Sequence, residues 1–261
     1  MDVLKVDGAQ SGENRMSDSS SMEGIGSGDA SSNNQLQEYY EQVCWEFGYA
    51  SLCRMSLPAG LEGKTVVDVG CRRGKGVFKL SERVGIEGHV IGVDWVPEHI
   101  AEAIDRTDHA LAKTGLPSNN MEFHLGYPED LQAVGISDAV ADAVFVNSVL
   151  HLMCDPQRAL SEMHRVLKPG GLLICEVALA DGPRDPAVVE AARSLGNSIQ
   201  AAPWRTEFEE RLVQMGFDIE VAEKPNPIEA SMGFKEGHVA PVAPSSEDVS
   251  FEAVVLHAVK R

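Results

Sequence analysis

The chain has 261 residues and a mass of 28.1 kDa, with 43% hydrophobic side chains, a formal charge of −18 and a pI of about 4.8. So acidic a chain repels phosphate-rich partners, which argues against nucleic-acid binding, and it contains no run of 18 apolar residues that would span a membrane. The length suits one large domain with an appendage, or two small domains.

Residues 1–34 are rich in Ser, Gly, Asp and Asn. They bury too little to offset their ordering entropy and are expected to be disordered. They also lack the apolar stretch of a secretory leader. The domain is expected to cover residues 35–261 and to open with a helical segment, 35–60, beginning near Leu36 in QLQEYYEQVCWEFG. From Thr65 the pattern predicts strands over 65–70, 89–94, 121–126, 141–148, 171–179, 218–224 and 251–260. Helices are expected over 75–84, 97–113, 156–167 and 186–199, with another near 204–215. Asp155 and Pro156 are a good cap and first position, and Lys168-Pro169-Gly170-Gly171 is a clear stop. Near-continuous apolar strands alternating with helices mean an α/β fold with a mainly parallel sheet covered on both faces. Residues 225–250, with four prolines, read as an irregular loop that either overhangs a site or lies free on the surface. The five cysteines (44, 53, 71, 154 and 175) are odd in number and form no C-x-x-C pair, which fits reduced thiols in a cytoplasmic protein.

Ligands of open α/β sheets bind at the carboxyl ends of the strands. The first strand leads into VVDVGCRRGKG, residues 66–76, which supplies Asp68, Gly70, Cys71, Arg72 and Gly74. The second ends at Asp94 and Trp95, the third at Gly126, Tyr127, Pro128 and Glu129, the fourth at Asn147, Ser148 and His151. Acids and glycines here suit a nucleoside with a cationic tail, whereas a diphosphate needs N–H donors and cations. Asp68 is placed to accept from an ammonium group, and Asp94 to accept both ribose hydroxyls. Trp95 and the Tyr127-Pro128 pair offer flat walls for a purine. Cys71 reads equally as a small packing residue, and His151 as a satisfied structural histidine. No metal site is indicated.

The order VVDVGCRRGKG, HVIGVD, GYPEDL and RVLKPGG resembles class I S-adenosylmethionine-dependent methyltransferases. It is closest to the arsenite methyltransferase-like branch through GYPEDL, Asn147 in NSVLHL, and the turn Arg165–Gly171, over roughly residues 37–218. The resemblance implies a Rossmann-like seven-stranded sheet with one antiparallel strand, S-adenosyl-L-methionine as cofactor and a small-molecule acceptor. A base is needed only if the acceptor arrives protonated; His151 and Glu129 are the candidates near the cleft, with His151 expected to face the acceptor as the catalytic residue and Glu129 expected on the adenine side. The resemblance also offers Tyr39, Tyr40, Trp45 and Tyr49 as a lid over the cofactor; the same aromatics could simply pack the first helix on the sheet. A homodimer stays open.

Two departures matter. Arg72 stands where the family has glycine; if the position needs φ > 0 it costs roughly 1–2 kcal/mol. A charge-assisted bond to the methionine carboxylate would return about 1.5–3 kcal/mol. Second, Cys53 matches a metalloid-binding cysteine of the family, but Ser194 stands where another is expected. One thiolate cannot cage arsenite, so the expected acceptor is a small organic molecule. The same features admit an S-adenosylmethionine-binding protein with non-methylating or lost activity. A nicotinamide-dependent oxidoreductase would share the strand-turn-helix but not RVLKPGG or the added antiparallel strand.

Overall fold

The computed structural model describes residues 30–43, 55–232 and 239–261. Expectations for residues 1–29 and for Cys44, Trp45, Tyr49 and Cys53 therefore lie outside the described residues. Among the described residues, no helix is long and apolar enough to cross a membrane.

Helix α1 (Ala30–Gln42) precedes the first βαβ units: β1 (Thr65–Val69), α2 (Lys75–Val84), β2 (His89–Asp94), α3 (Pro97–Asp105), α4 (Thr107–Thr114) and β3 (Met121–Leu125). Next come β4 (Ala141–Asn147), a single 3-10 turn over Leu150–Leu152, α5 (Pro156–Val166), β5 (Leu167–Ala180), α6 (Pro186–Ser194) and α7 (Arg205–Gln214). The last part of the sequence supplies β6 (Phe217–Val221), β7 (Asn226–Ile228) and β8 (Phe251–Lys260). The strand order is β3-β2-β1-β4-β5-β8-β6, with β7 also paired to β8. Strands β1 to β5 pair in parallel, and β8 runs antiparallel to β5, β6 and β7. This is the Rossmann-like α/β fold with one antiparallel strand. Its direction of winding reverses between β1 and β4, and open sheets bind ligands at such a switch point.

Alternation along each strand explains the two-sided core. Val66 and Phe145 turn to one face and pack with Val77 and Leu80 of α2. Val67 and Val144 turn to the other, against Leu160 and Met163 of α5. The Asp155 carboxylate caps α5 by accepting from Gln157 and Arg158 N–H, both at 3.0 Å.

Several boundaries differ from expectation: α1 starts at Ala30 rather than near Leu36, inside the stretch expected to be disordered, and β6 ends at Val221 rather than at residue 224. The segment 97–113 is two helices, because Thr107 Oγ1 donates to Ala103 O at 3.1 Å and takes the acceptor a continuous helix would give the Thr107 N–H. Helix α6 stops at Ser194, before Gly196 at φ 71° and an Asn197 side chain that accepts from Ile199 and Gln200 N–H. The RVLKPGG turn is drawn into the start of β5, beside a register shift between Ala141 and Ala143. Finally, the loop before β8 contains β7 and is fastened down: Asn197 Nδ2 donates to Ala230 O and Pro241 O at 2.7 and 2.8 Å, and Arg184 pairs with Glu247 at 3.1 Å.

Candidate functional site

Alternation also collects polar groups on the α2 face at the carboxyl ends. Asp68 lies two residues beyond Val66, Asp94 four beyond Val90, Asn147 two beyond Phe145 and Glu176 two beyond Ile174, and all four apolar residues belong to that face. The turn after β1 is tied to β2 through Gly70 and Cys71 N–H, which donate to Val93 O at 2.8 and 3.0 Å.

The glycines of this turn have distinct reasons. Gly70 has φ 78°, and a Cβ there would lie 2.6 Å from Val149 Cγ2. Gly74 has φ 77°, and its Cβ would meet Phe78 at 2.8 Å and Ala103 at 3.1 Å, so its close approach is to protein. Gly76 was not among the expected residues, yet a Cβ there would stand 2.2 Å from Asp68 Oδ2. Its signal was present in the sequence as the second glycine of RRGKG. Arg72 does adopt a left-handed conformation, φ 49°, and its N–H donates to Asp94 Oδ2 at 2.9 Å. Cys71 is buried in the α2-side core, where burial holds its thiol well above the ordinary range.

The two acids differ sharply. Asp68 is 3% exposed and its carboxylate has no hydrogen-bond partner among the described residues; burial, with Asp94 nearby, pushes its pKa up to about 8. Asp94 is buried too, but it accepts from Arg72 N–H, from Val96 N–H at 3.0 Å and from His99 Nδ1 at 3.1 Å. A carboxylate offers about four acceptor sites, so little of Asp94 is left for the ribose in this arrangement.

At the ends of β2 and β3, an aromatic cluster has formed. The ring of Tyr40, from α1, lies 4.7 Å from that of Trp95 and stacks on Tyr127 at 5.3 Å with planes 9° apart. Its hydroxyl donates to both Glu129 oxygens at 2.8 and 3.0 Å, and Glu129 also accepts from Asp155 N–H at 3.0 Å. Burial raises the Glu129 pKa. Pro128, between Tyr127 and Glu129, is buried. Tyr39 donates its hydroxyl to Leu152 O at 2.7 Å and meets Tyr40 edge-on. No local pattern announces these contacts, since Tyr40 and Glu129 are 89 residues apart.

At the end of β4, Ser148 adopts φ 59° and donates its hydroxyl to Asn147 Oδ1 at 2.9 Å. The expected orientation of His151 toward an acceptor is not what the packing gives. Its ring is buried edge-on against Phe208, a core residue of α7. Nε2 donates to Ala178 O at 2.8 Å, and burial lowers the pKa to about 4. Glu176, in register with Asn147, is the acid that sequence reasoning missed; it is 5% exposed and accepts from Ser56 N–H at 2.7 Å. A charged residue inside LLICEVAL was the available signal.

The described cysteines do not converge. Cys71 belongs to the core on one face of the sheet and Cys175 to the core on the other, while Cys154 lies beside the α1 cluster. Burial raises all three thiols, Cys154 to about 11. Ser194 is an exposed end of α6 bonded to Glu190 O. No group of three or more metal-ligating side chains is found among the described residues.

Comparison with known proteins agrees with this architecture. Residues 61–214 match a family model described as a methyltransferase domain. Human arsenite methyltransferase is 36% identical over 138 residues, 53% of this chain and 36% of that protein. The arsenite methyltransferase of Aquipseudomonas alcaligenes is 32% identical over 165 residues, 63% of this chain and 47% of its own length. The chain thus spans between about a third and a half of the length of these curated relatives. Among solved structures, an arsenic(III) S-adenosylmethionine methyltransferase from Chlamydomonas reinhardtii superimposes with a TM-score of 0.68 at 27% identity, covering 86% of this chain and 70% of that one. With the matched model covering more than half of its residues, the chain belongs to the methyltransferase-domain family, as a class I S-adenosylmethionine-dependent member of arsenite methyltransferase-like type.

Proposed function

We propose that the chain transfers a methyl group from S-adenosylmethionine to a small organic molecule rather than to arsenite. The observation that carries this is Asp68. A buried carboxylate with no donor among the described residues is costly unless a cation completes it, and its Oδ2 packs so close to the backbone that only glycine fits at position 76, where a Cβ would stand 2.2 Å away. The α-ammonium of a methionine tail is such a cation. Bound there, the cofactor supplies an electrophilic methyl group on a sulfonium.

The chain's task is then mainly positioning. Asp68 takes the ammonium, Asp94 offers the ribose edge the acceptor position that its three internal donors leave, and Arg72, in the turn after β1, lies toward the tail carboxylate. Trp95, Tyr127 and Glu129 offer a purine its stacking surfaces and an acceptor. Asn147 and Ser148 lie toward the acceptor end. Transfer needs the nucleophile held in line behind the methyl carbon, where proximity and orientation do most of the work; the acceptor atom donates its electron pair to carbon as the carbon–sulfur pair returns to sulfur. Gly70, Cys71 and Gly74 shape the turn around this site. His151 supports the end of β4 through its bond to Ala178 O.

The case against arsenite rests on thiols. Soft trivalent arsenic needs several converging thiolates, and the described cysteines lie apart, with raised pKa values. A thermal-shift series tests the cofactor assignment: S-adenosylmethionine and S-adenosylhomocysteine should each stabilise the chain and NAD(H) should not. Stabilisation by the nicotinamide alone would overturn it. A second reading, cofactor binding without transfer, is favoured by the three internal donors on Asp94. Failure to form S-adenosylhomocysteine across a panel of thiol, amine and phenol acceptors would select it.

A further inference from the structure

The aromatic cluster at the ends of β2 and β3 is already full. A purine entering there would need a flat partner for its ring and an acceptor for its exocyclic amine. Trp95 and Tyr127 are the flat partners and Glu129 is the buried acceptor. All three are engaged by one side chain, Tyr40, through two ring contacts and a hydroxyl shared between both carboxylate oxygens. A phenol ring carrying one donor meets the same demands as an adenine ring carrying its amine. Helix α1 is held in place around it: Leu36 and Tyr40 are buried with Trp95, and Tyr39 is bonded to Leu152 O.

We infer that Tyr40 is a built-in occupant of the adenine subsite, so that α1 must lift before the nucleoside can enter. The inference rests on the S-adenosylmethionine assignment above and adds a self-competing state to it. Only the lifted fraction of molecules binds, and the apparent dissociation constant is the intrinsic one divided by that fraction. A lid that closes over bound cofactor would do the opposite, since ligand would then hold α1 down.

The two arrangements differ in sign. Hydrogen exchange on the full chain, with and without saturating S-adenosylhomocysteine, should show amides 36–43 exchanging faster with ligand. Slower exchange would overturn the inference, and this needs no variant. By calorimetry, Tyr40→Ala should bind S-adenosylhomocysteine at least about tenfold tighter than the natural chain, a gain of about 1.4 kcal/mol. The gain should be the same for 5′-methylthioadenosine, which has the purine and no ammonium group. Equal or weaker binding by Tyr40→Ala would sink the self-competing state while leaving the cofactor assignment intact. If neither form binds either ligand, the cofactor assignment falls and takes this inference with it.

Discussion

The carboxyl ends of β1 and β2 lie side by side, each with a buried aspartate, yet they are built in opposite ways. Asp94 is satisfied from within: three donors of its own chain fix the turn after β1 and the start of α3. Asp68 has no donor among the described residues, and its pKa is raised to about 8. The first carboxylate holds the site together and the second waits for something outside the chain. Two acids on the same face of neighbouring strands, two residues apart in register, therefore divide structure and binding between them, and substitution should separate the two roles.

The largest effect is expected at Asp68. Asp68→Asn removes the charge that an ammonium would pair with, and S-adenosylhomocysteine affinity should fall about 100-fold or more, the loss of a buried ion pair worth about 3 kcal/mol. The thermal midpoint of the ligand-free chain should not fall. Calorimetry and a melting curve check both halves, and a large loss of ligand-free stability would erase the contrast with Asp94. Asp94→Ala should show the reverse weighting, destabilising the fold by about 2–4 kcal/mol in urea unfolding through loss of charge-assisted bonds.

Protonation gives a third handle. Because the folded pKa of Asp68 lies above that of the unfolded chain, the folded state holds a proton the unfolded state has lost. Its contribution to ligand-free stability therefore falls as pH rises from the ordinary carboxylate range to about 8. A cationic ligand needs the carboxylate, so binding at pH 7 should release up to about one proton, seen as buffer-dependent heats. Binding heats identical in all buffers would remove Asp68 from the ligand. The smallest effect concerns Arg72. Arg72→Gly relieves left-handed strain of roughly 1–2 kcal/mol but adds chain entropy to the unfolded state, so stability should shift by less than about 1 kcal/mol. If the guanidinium clamps the tail carboxylate, affinity should drop about tenfold; a severalfold gain would make the arginine an impediment.

How much of this is legible in sequence follows the distance over which each feature is decided. Helix α2 and strands β2 and β8 have their expected bounds, because periodicity and turn residues are local. The Asp68–Gly74 turn is readable for the same reason: positive φ at Gly70, Arg72 and Gly74 is a demand of a few consecutive residues. Features set by remote partners are not readable. Tyr40 meets Glu129 across 89 residues, Ser56 meets Glu176 across 120, and β7 exists only because β8 offers it an edge. His151 shows the limit from the other side. Its position after β4 marks it as a cleft residue, but the direction of its ring is settled by Phe208, on a helix more than fifty residues later.

The place of β8 carries a consequence for how the molecule comes together. Of the eight strands among the described residues it lies furthest along the sequence, yet it sits inside the sheet and is the strand through which β6 and β7 join the rest. Until residues 251–260 arrive, β5 presents a bare edge on which another chain could add, and β6 and β7 have no neighbour to pair with. Completion of this half of the sheet is therefore a late, long-range event, and a nascent or shortened chain lacking β8 would carry the half-built binding turn beside an open template for self-association.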